Sequence, residues 1–207
     1  MCAYVTTRLH VYPAKMTLGP RFDASRPASP VESRRTMANW LDATDRKIMR
    51  RANSWPAPGW VRVWMLAASK LGDGWLWWGI GFAILLWGGR HRYQVMVAGG
   101  VAAGAAQGVS RLIKIAVARQ RPCATEKHVW SNVPPPDPHS FPSAHTMTAF
   151  AFAVAIGYAY PGILGPLLFA ASSIALSRVL LGLHYLSDVV AGGLLGWLIG
   201  FVAHMLL

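Results

Sequence analysis

Residues 176–190 read LSRVLLGLHYLSDVV and set an arginine, a histidine and an aspartate inside apolar sequence. Asp188 is the only acidic residue after Asp137. A carboxylate surrounded by Leu, Val and Gly is costly unless it is paired. His184 lies four residues before it, and on a helix that spacing puts both side chains on one face. The carboxylate is then expected to hold one ring nitrogen and leave the other free and basic. A histidine oriented in this way is a candidate nucleophile or general base. Taken alone, the two residues also fit a purely structural pair.

Apolar blocks flank this stretch on both sides. Residues 163–181 and 185–207 are each the length of a membrane crossing, and residues 145–160 form a further apolar block before the turn Tyr160-Pro161-Gly162. Residues 74–89 are short for a span, but their tryptophans cluster at both ends in the manner of interfacial anchors. After the basic turn Arg90-His91-Arg92, residues 93–118 carry Gly and Ala suited to close helix packing. Prolines exclude a continuous helix over residues 119–141. The expected fold is all-α: an integral membrane bundle of about five crossings.

The first 72 residues are different in kind. Residues 1–36 are a polar arm, expected to be disordered at least as far as Pro30. Residues 37–52 are amphipathic, with Trp40, Leu41, Ile48 and Met49 able to share a side while Arg46, Lys47, Arg50 and Arg51 stay wet. Residues 60–71 contain Arg62 and Lys70 and are too short to cross, so residues 37–72 are read as interfacial helices and residues 73–207 as the membrane domain. A sixth crossing hidden in residues 60–71 is the alternative, at the cost of burying both cations.

The chain has 207 residues, 54% of them hydrophobic, and a net charge of +12 from 20 Lys and Arg against 8 Asp and Glu. No basic stripe interleaved with aromatics is present, and the second half is too apolar for a soluble nucleic-acid binder. An anionic membrane surface and an anionic substrate account for the charge better. Cys2 and Cys123 form neither a metal pattern nor a disulfide framework.

Two further motifs precede the first. Residues 114–122 read KIAVARQRP, with Lys114 and Arg121 two helical turns apart and so expected on the same helix face, and residues 142–145 read PSAH at the head of an apolar block. Five crossings bring the end of the second, the start of the third and the junction of the fourth and fifth to one membrane face, so the three motifs are expected to converge. Lys114, Arg121 and Arg178 then supply three cations, and Ser143 with Ala144 supplies a hydroxyl and backbone N–H groups at a helix start, a set suited to a phosphate. Arg119 stands outside the pattern and reads as a cation at a span's end. His128, His139, Glu126 and Lys127 read as solvated loop residues, with the alternative that the two histidines and Trp130 shape the entrance to the site.

Lys, six residues, Arg-Pro; Pro-Ser-x-His; and Ser-Arg, five residues, His, three residues, Asp together resemble the three-part signature of the type 2 phosphatidic acid phosphatase family, whose anion site is similar to that of the vanadium haloperoxidases. The resemblance covers residues 114–188. It departs at Ala144, where the family usually has Gly; a backbone N–H survives that change, but a conformation open only to Gly would not. It implies His184 as nucleophile, Asp188 as its orienter and His145 as the acid that protonates the leaving oxygen, on a lipid phosphate or diphosphate held by Lys114, Arg121, Ser143, Ala144 and Arg178. No metal or other cofactor is expected, because side chains supply the cations. Membrane lipids are the expected surroundings and nucleic acid is not an expected partner. A catalytically silent lipid-binding or transport protein, or a vanadate-dependent haloperoxidase, are the alternatives. The family mostly faces outward, whereas residues 1–73 hold twelve Lys and Arg against five Asp and Glu and the opposite face offers Arg90 and Arg92. The positive-inside rule therefore favours a cytoplasmic site in a bacterial inner membrane.

Overall fold

The computed structural model of the chain describes residues 30–125 and 137–206, with the backbone alone for residues 30–39. The arm over residues 1–29 and the loop residues Glu126, Lys127, His128 and Trp130 lie outside the described residues. Among the described residues eight helices follow in order: α1 (Pro30–Ser54), α2 (Gly59–Leu71), α3 (Trp75–Trp87), α4 (Arg92–Val117), α5 (Pro122–Thr125), α6 (Ala144–Ala159), α7 (Pro161–Leu180) and α8 (Leu186–Met205). Among the described residues there is no strand, only an isolated antiparallel bridge between Gln120 and His139. The described residues are all-α, as expected from the hydrophobic blocks.

The helix ends have local causes. Val117 is the last residue of α4 because Ala118 turns into the left-handed region at φ 48° and Pro122 soon follows. Arg121 is therefore off the helix, and the expectation that Lys114 and Arg121 share a helix face is corrected: Lys114 is in the last turn of α4 and Arg121 stands in the segment between α4 and α5. Pro161 opens α7, where its missing N–H costs nothing. Gly182 separates α7 from α8 at φ 67°, so His184 lies in the turn between two helices and not on one helix with Asp188. Pro30 begins α1 seven residues ahead of the start expected at Met37.

Two helices, α7 and α8, are 20 residues each and long and apolar enough to cross a membrane. The apolar α3 and α6 are shorter, and α4 runs for 26 residues. On the outside of the bundle Trp75, Trp78, Leu112, Ile115, Leu194 and Leu198 are all exposed. Such a surface suits lipid and would drive association in water.

At the centre stands α6, with ten of its 16 residues buried. An apolar helix without a polar face belongs in a core. It packs on α4, α7 and α8. Against α8 the contact is backbone to backbone. A Cβ on Gly192 would stand 2.7 Å from the Ser143 carbonyl oxygen, and on Gly196 and Gly200 it would collide with the carbonyls of Met147 and Ala151. Both series rise by four, so α6 and α8 run parallel in close register. That register brings the first turn of α6, with Ser143 and His145, beside the first turn of α8, with Asp188. On the other side of α6, Phe152 and Ile156 pack with Trp77, Ile84, Val95 and Ile174, and the ring centroids of Trp77 and Phe152 are 5.0 Å apart.

Gly196→Ala should therefore lower the thermal midpoint of the detergent-purified protein by several degrees, as overpacking costs about 1–3 kcal/mol. Gly104→Ala, whose Cβ would meet nothing within 4 Å, is the control and should leave the midpoint in place. Equal midpoints for the two variants would contradict the backbone contact.

Candidate active site

Residues from four helix ends and two connecting segments meet at one end of the bundle. Lys114 comes from the last turn of α4, Arg121 from the segment after it, Ser143, Ala144 and His145 from the head of α6, Arg178 from the last turn of α7, His184 from the turn after it, and Asp188 from the first turn of α8. Lys114, Arg121, Ser143, Arg178, His184 and Asp188 are all buried. Ionic groups buried together must be arranged as a network.

His184 is held by its backbone and both ring nitrogens. Its Nδ1 lies 2.7 Å from the Ser140 carbonyl oxygen, which fixes Nδ1 as the N–H donor and leaves the lone pair on Nε2. Nη1 of Arg121 donates to that lone pair at 2.9 Å. Asp188 Oδ2 stands 3.6 Å from Nδ1, at ion-pair distance. The expected carboxylate grip on the ring is thus taken by a carbonyl, with Asp188 behind it. Burial above all, with the charges of Arg121 and Arg178, holds the imidazole down at about 3 against the pull of Asp188. The ring is neutral at physiological pH, with Nε2 unprotonated.

Asp188 is fully buried and its oxygens are satisfied from two directions. Oδ2 accepts from the Tyr185 backbone N–H at 2.8 Å, and Oδ1 accepts from Nη1 of Arg119 at 2.7 Å. Its own carbonyl accepts from the Ser143 N–H at 3.0 Å, tying the PSAH segment to α8. The Ser143 N–H is thereby engaged, and Ala144 is the first residue of α6, where N–H groups have no helical acceptor. The Ser143 hydroxyl accepts from Thr146 at 3.0 Å and keeps its own proton for another partner.

The three cations converge within Coulombic reach of one another. Asp137 lies among them: Oδ2 accepts from Lys114 Nζ at 2.7 Å and Oδ1 from Arg121 Nη2 at 3.0 Å. Arg121 also donates through Nε to the Asp137 carbonyl at 2.7 Å and through Nη1 to the Leu183 carbonyl at 2.9 Å. Burial alone would push the Asp137 carboxyl up, but the hydrogen bond from Lys114 and the charge of Arg121 outweigh it and hold it below the usual range. Arg178 donates through Nη1 to Ser69 on α2 at 2.7 Å, while its buried Nε has no partner among the described residues. A buried guanidinium with an open N–H is a donor awaiting an acceptor. Nε2 of His145 lies 2.8 Å from Asp73 Oδ1, in the turn between α2 and α3.

Arg119, set aside in the sequence as an isolated cation, is the hub of the support behind the site. Besides Asp188 it donates to Ser187 Oγ at 2.8 Å, and its Nη2 donates to Asp42 at 2.7 Å and Asp45 at 2.8 Å on α1. Its guanidinium lies 4.2 Å over the Tyr185 ring. Burial would lower its affinity for the proton, but Asp45 and Asp188 reverse that and hold it above its ordinary value. Asp73 stands between two glycines, Asp137 between two prolines and Arg119 at the end of an apolar block, but no spacing rule ties any of them to a partner. Among the described residues, no group of three or more His, Cys, Asp or Glu is placed to hold a metal ion.

Known proteins share this architecture. A decaprenylphosphoryl-5-phosphoribose phosphatase of Mycobacterium tuberculosis is 40% identical over 117 residues, which are 55% of this chain and 61% of that protein. A lipid A 1-phosphatase of Rhizobium etli is 31% identical over 110 residues, 51% of this chain and 44% of that protein. The chain thus spans less than two thirds of the length of each. The crystal structure of the transmembrane PAP2 type phosphatidylglycerolphosphate phosphatase from Bacillus subtilis superposes on 81% of this chain and 86% of that one, with a TM-score of 0.64 at 20% identity. The sequence profile of the PAP2 superfamily matches residues 95–207, more than half of the chain and all three motifs. The chain belongs to the PAP2 superfamily.

Proposed function

We propose that the protein is a membrane-embedded phosphatase that removes a terminal phosphate from a lipid through a phosphohistidine on His184, with no metal. The observation that carries this reading is the 2.9 Å contact between Nη1 of Arg121 and the unprotonated Nε2 of His184: a phosphate that took up the Arg121 donor would stand beside that nitrogen and free its lone pair. Arg178, with its open Nε, and Lys114 complete the cluster, and Ser143 and Ala144 add donors at the head of α6. These groups meet the charge on the five-coordinate transition state.

In the first step Nε2 of His184 forms a bond to phosphorus as the phosphorus–oxygen bond to the lipid breaks. His145 gives its proton to the departing oxygen. In the second step a water attacks the phosphohistidine, its proton passes to His145, the nitrogen–phosphorus bond breaks, and inorganic phosphate leaves with His184 restored. The Ser140 carbonyl keeps the ring in one tautomer throughout. Substrate candidates are phosphatidic acid, phosphatidylglycerophosphate, polyprenyl phosphates and diphosphates, and the phosphorylated decaprenyl sugar named for the Mycobacterium tuberculosis relative. Purified protein assayed for phosphate release from this panel tests the class. His184→Ala should lower kcat by on the order of ten-thousand-fold, as loss of a triad member does in hydrolases, and near-normal turnover would refute the assignment.

Lys114 and Arg121 hold Asp137, so an entering phosphate exchanges places with that carboxylate. An internal occupant weakens every anion by the same factor. Asp137→Asn should tighten vanadate inhibition and lower KM for a short-chain lipid phosphate in equal proportion, measured by initial rates. A weaker vanadate effect would mean that Asp137 only positions the cations.

We read α3, α4, α6, α7 and α8 as five crossings. Supporting this, Asp42 and Asp45 of α1 and Asp73 after α2 all touch the site end, as an odd number of crossings requires of the N-terminal segment. With the excess of cations on that segment the site faces the cytoplasm. Cys2 and Cys123 should then both resist a membrane-impermeant maleimide on intact cells and both react once the cells are opened. Labelling of Cys123 alone on intact cells would contradict five crossings.

A further inference from the structure

The first turn of α8 carries Asp188, and its exposed N–H groups need acceptors that the helix cannot supply. One is Asp188 itself, through Tyr185. The other comes from a different helix. Asp45 of α1, 4% exposed, accepts the Ser187 backbone N–H through Oδ1 at 3.1 Å, while its Oδ2 accepts the Ser187 hydroxyl and Nη2 of Arg119 at 2.8 Å. Nη1 of the same arginine reaches both the Ser187 hydroxyl and Asp188. The side chain of Asp45 therefore caps α8 from outside, and the guanidinium it holds is the one that holds Asp188.

We propose that Asp45 is a positioning residue for the reaction. It acts through Ser187 and Arg119 on Asp188, and through Asp188 on the turn that presents His184. This makes α1, which lies wholly outside residues 95–207, part of the enzyme's working structure. Three features distinguish the contact from a surface ion pair. Asp45 is buried, so its charge is weakly screened and must be paired. It makes contacts through both oxygens, which fixes its orientation. The arginine it engages lies stacked on Tyr185, the residue that precedes α8, so a shift of Asp45 moves the guanidinium relative to both Tyr185 and Asp188. Asp42, the arginine's other partner on α1, is half-exposed and makes no such contact with α8, so it holds the arginine without capping the helix.

The proposal rests on the phosphatase reading above, and its test separates the two. In full-length protein, Asp45→Ala should lower kcat for a short-chain phosphatidic acid by on the order of ten- to a hundredfold, since small misplacements of reacting groups cost that much, with KM within about twofold because the phosphate cations are untouched. Asp45→Asn, which keeps an acceptor for the Ser187 N–H and loses the charge, should fall between wild type and Asp45→Ala. Arg119→Ala combined with Asp45→Ala should be no slower than the worse single variant, since both act along one chain of contacts. Asp42→Ala should lower kcat less than Asp45→Ala. Hydrogen exchange at the amides of residues 185–189 supplies a readout independent of turnover, and in Asp45→Ala it should be faster than in wild type by tenfold or more. Unchanged kcat with unchanged exchange would overturn the proposal. So would fully additive losses in the double variant, or a KM rise with kcat intact. A wild-type protein that releases no phosphate from any lipid would refute the phosphatase reading, and the exchange measurement alone would then judge the cap.

Discussion

Everything at the site depends on keeping a charge at Asp188, a position with no exposure to solvent. A lone carboxylate there would give up its charge rather than bear the loss of hydration. Its charge is met by the Arg119 guanidinium and by the Tyr185 N–H. Each of these contacts also has a geometric result: the arginine brings α1 and the segment after α4 to the head of α8, and the backbone donor starts α8 where it does. The electrostatic need and the fold are met by the same atoms.

The second constraint is the lack of side chains between α6 and α8. With Gly192, Gly196 and Gly200 facing the carbonyls of Ser143, Met147 and Ala151, the two backbones touch and cannot slide by less than a turn without collision. Helices in lipid gain little from hydrophobic association and depend on such close approach. The result is a rigid pair whose paired first turns carry the PSAH segment and Asp188. Lys114, Arg178 and His184 are brought to it by helices that pack on that pair. Lys114 and Arg178 therefore sit on packed helices, while Asp137 reaches Lys114 and Arg121 from the segment before α6.

Much of this was legible in the chain itself. The five apolar blocks became α3, α4, α6, α7 and α8 with ends close to those expected, because Pro, Gly and tryptophan anchors mark them. The three motifs came to one end because alternation of helices requires it. What failed was the assumption that residues spaced for one helix face share a helix: Ala118 ends α4 before Arg121, and Gly182 ends α7 before His184. Local backbone chirality overrode periodicity in both places. The acidic partners were not legible for another reason. Asp42, Asp45 and Asp73 lie 72 or more residues from the groups they hold, and no periodic pattern links a helix of the N-terminal segment to the head of α8. Arg119 was visible as a cation, but its task follows only from what surrounds it.

The central claim is that the buried, neutral His184 carries the phosphoryl group between two half-reactions. The direct measurement is an alkaline quench of the working enzyme on a phosphorus-labelled lipid phosphate, followed by peptide mapping. The account predicts a label on the peptide that contains His184, stable in base and lost in acid. Label on Ser143, or phosphate release during turnover with no labelled protein at any time, would contradict it.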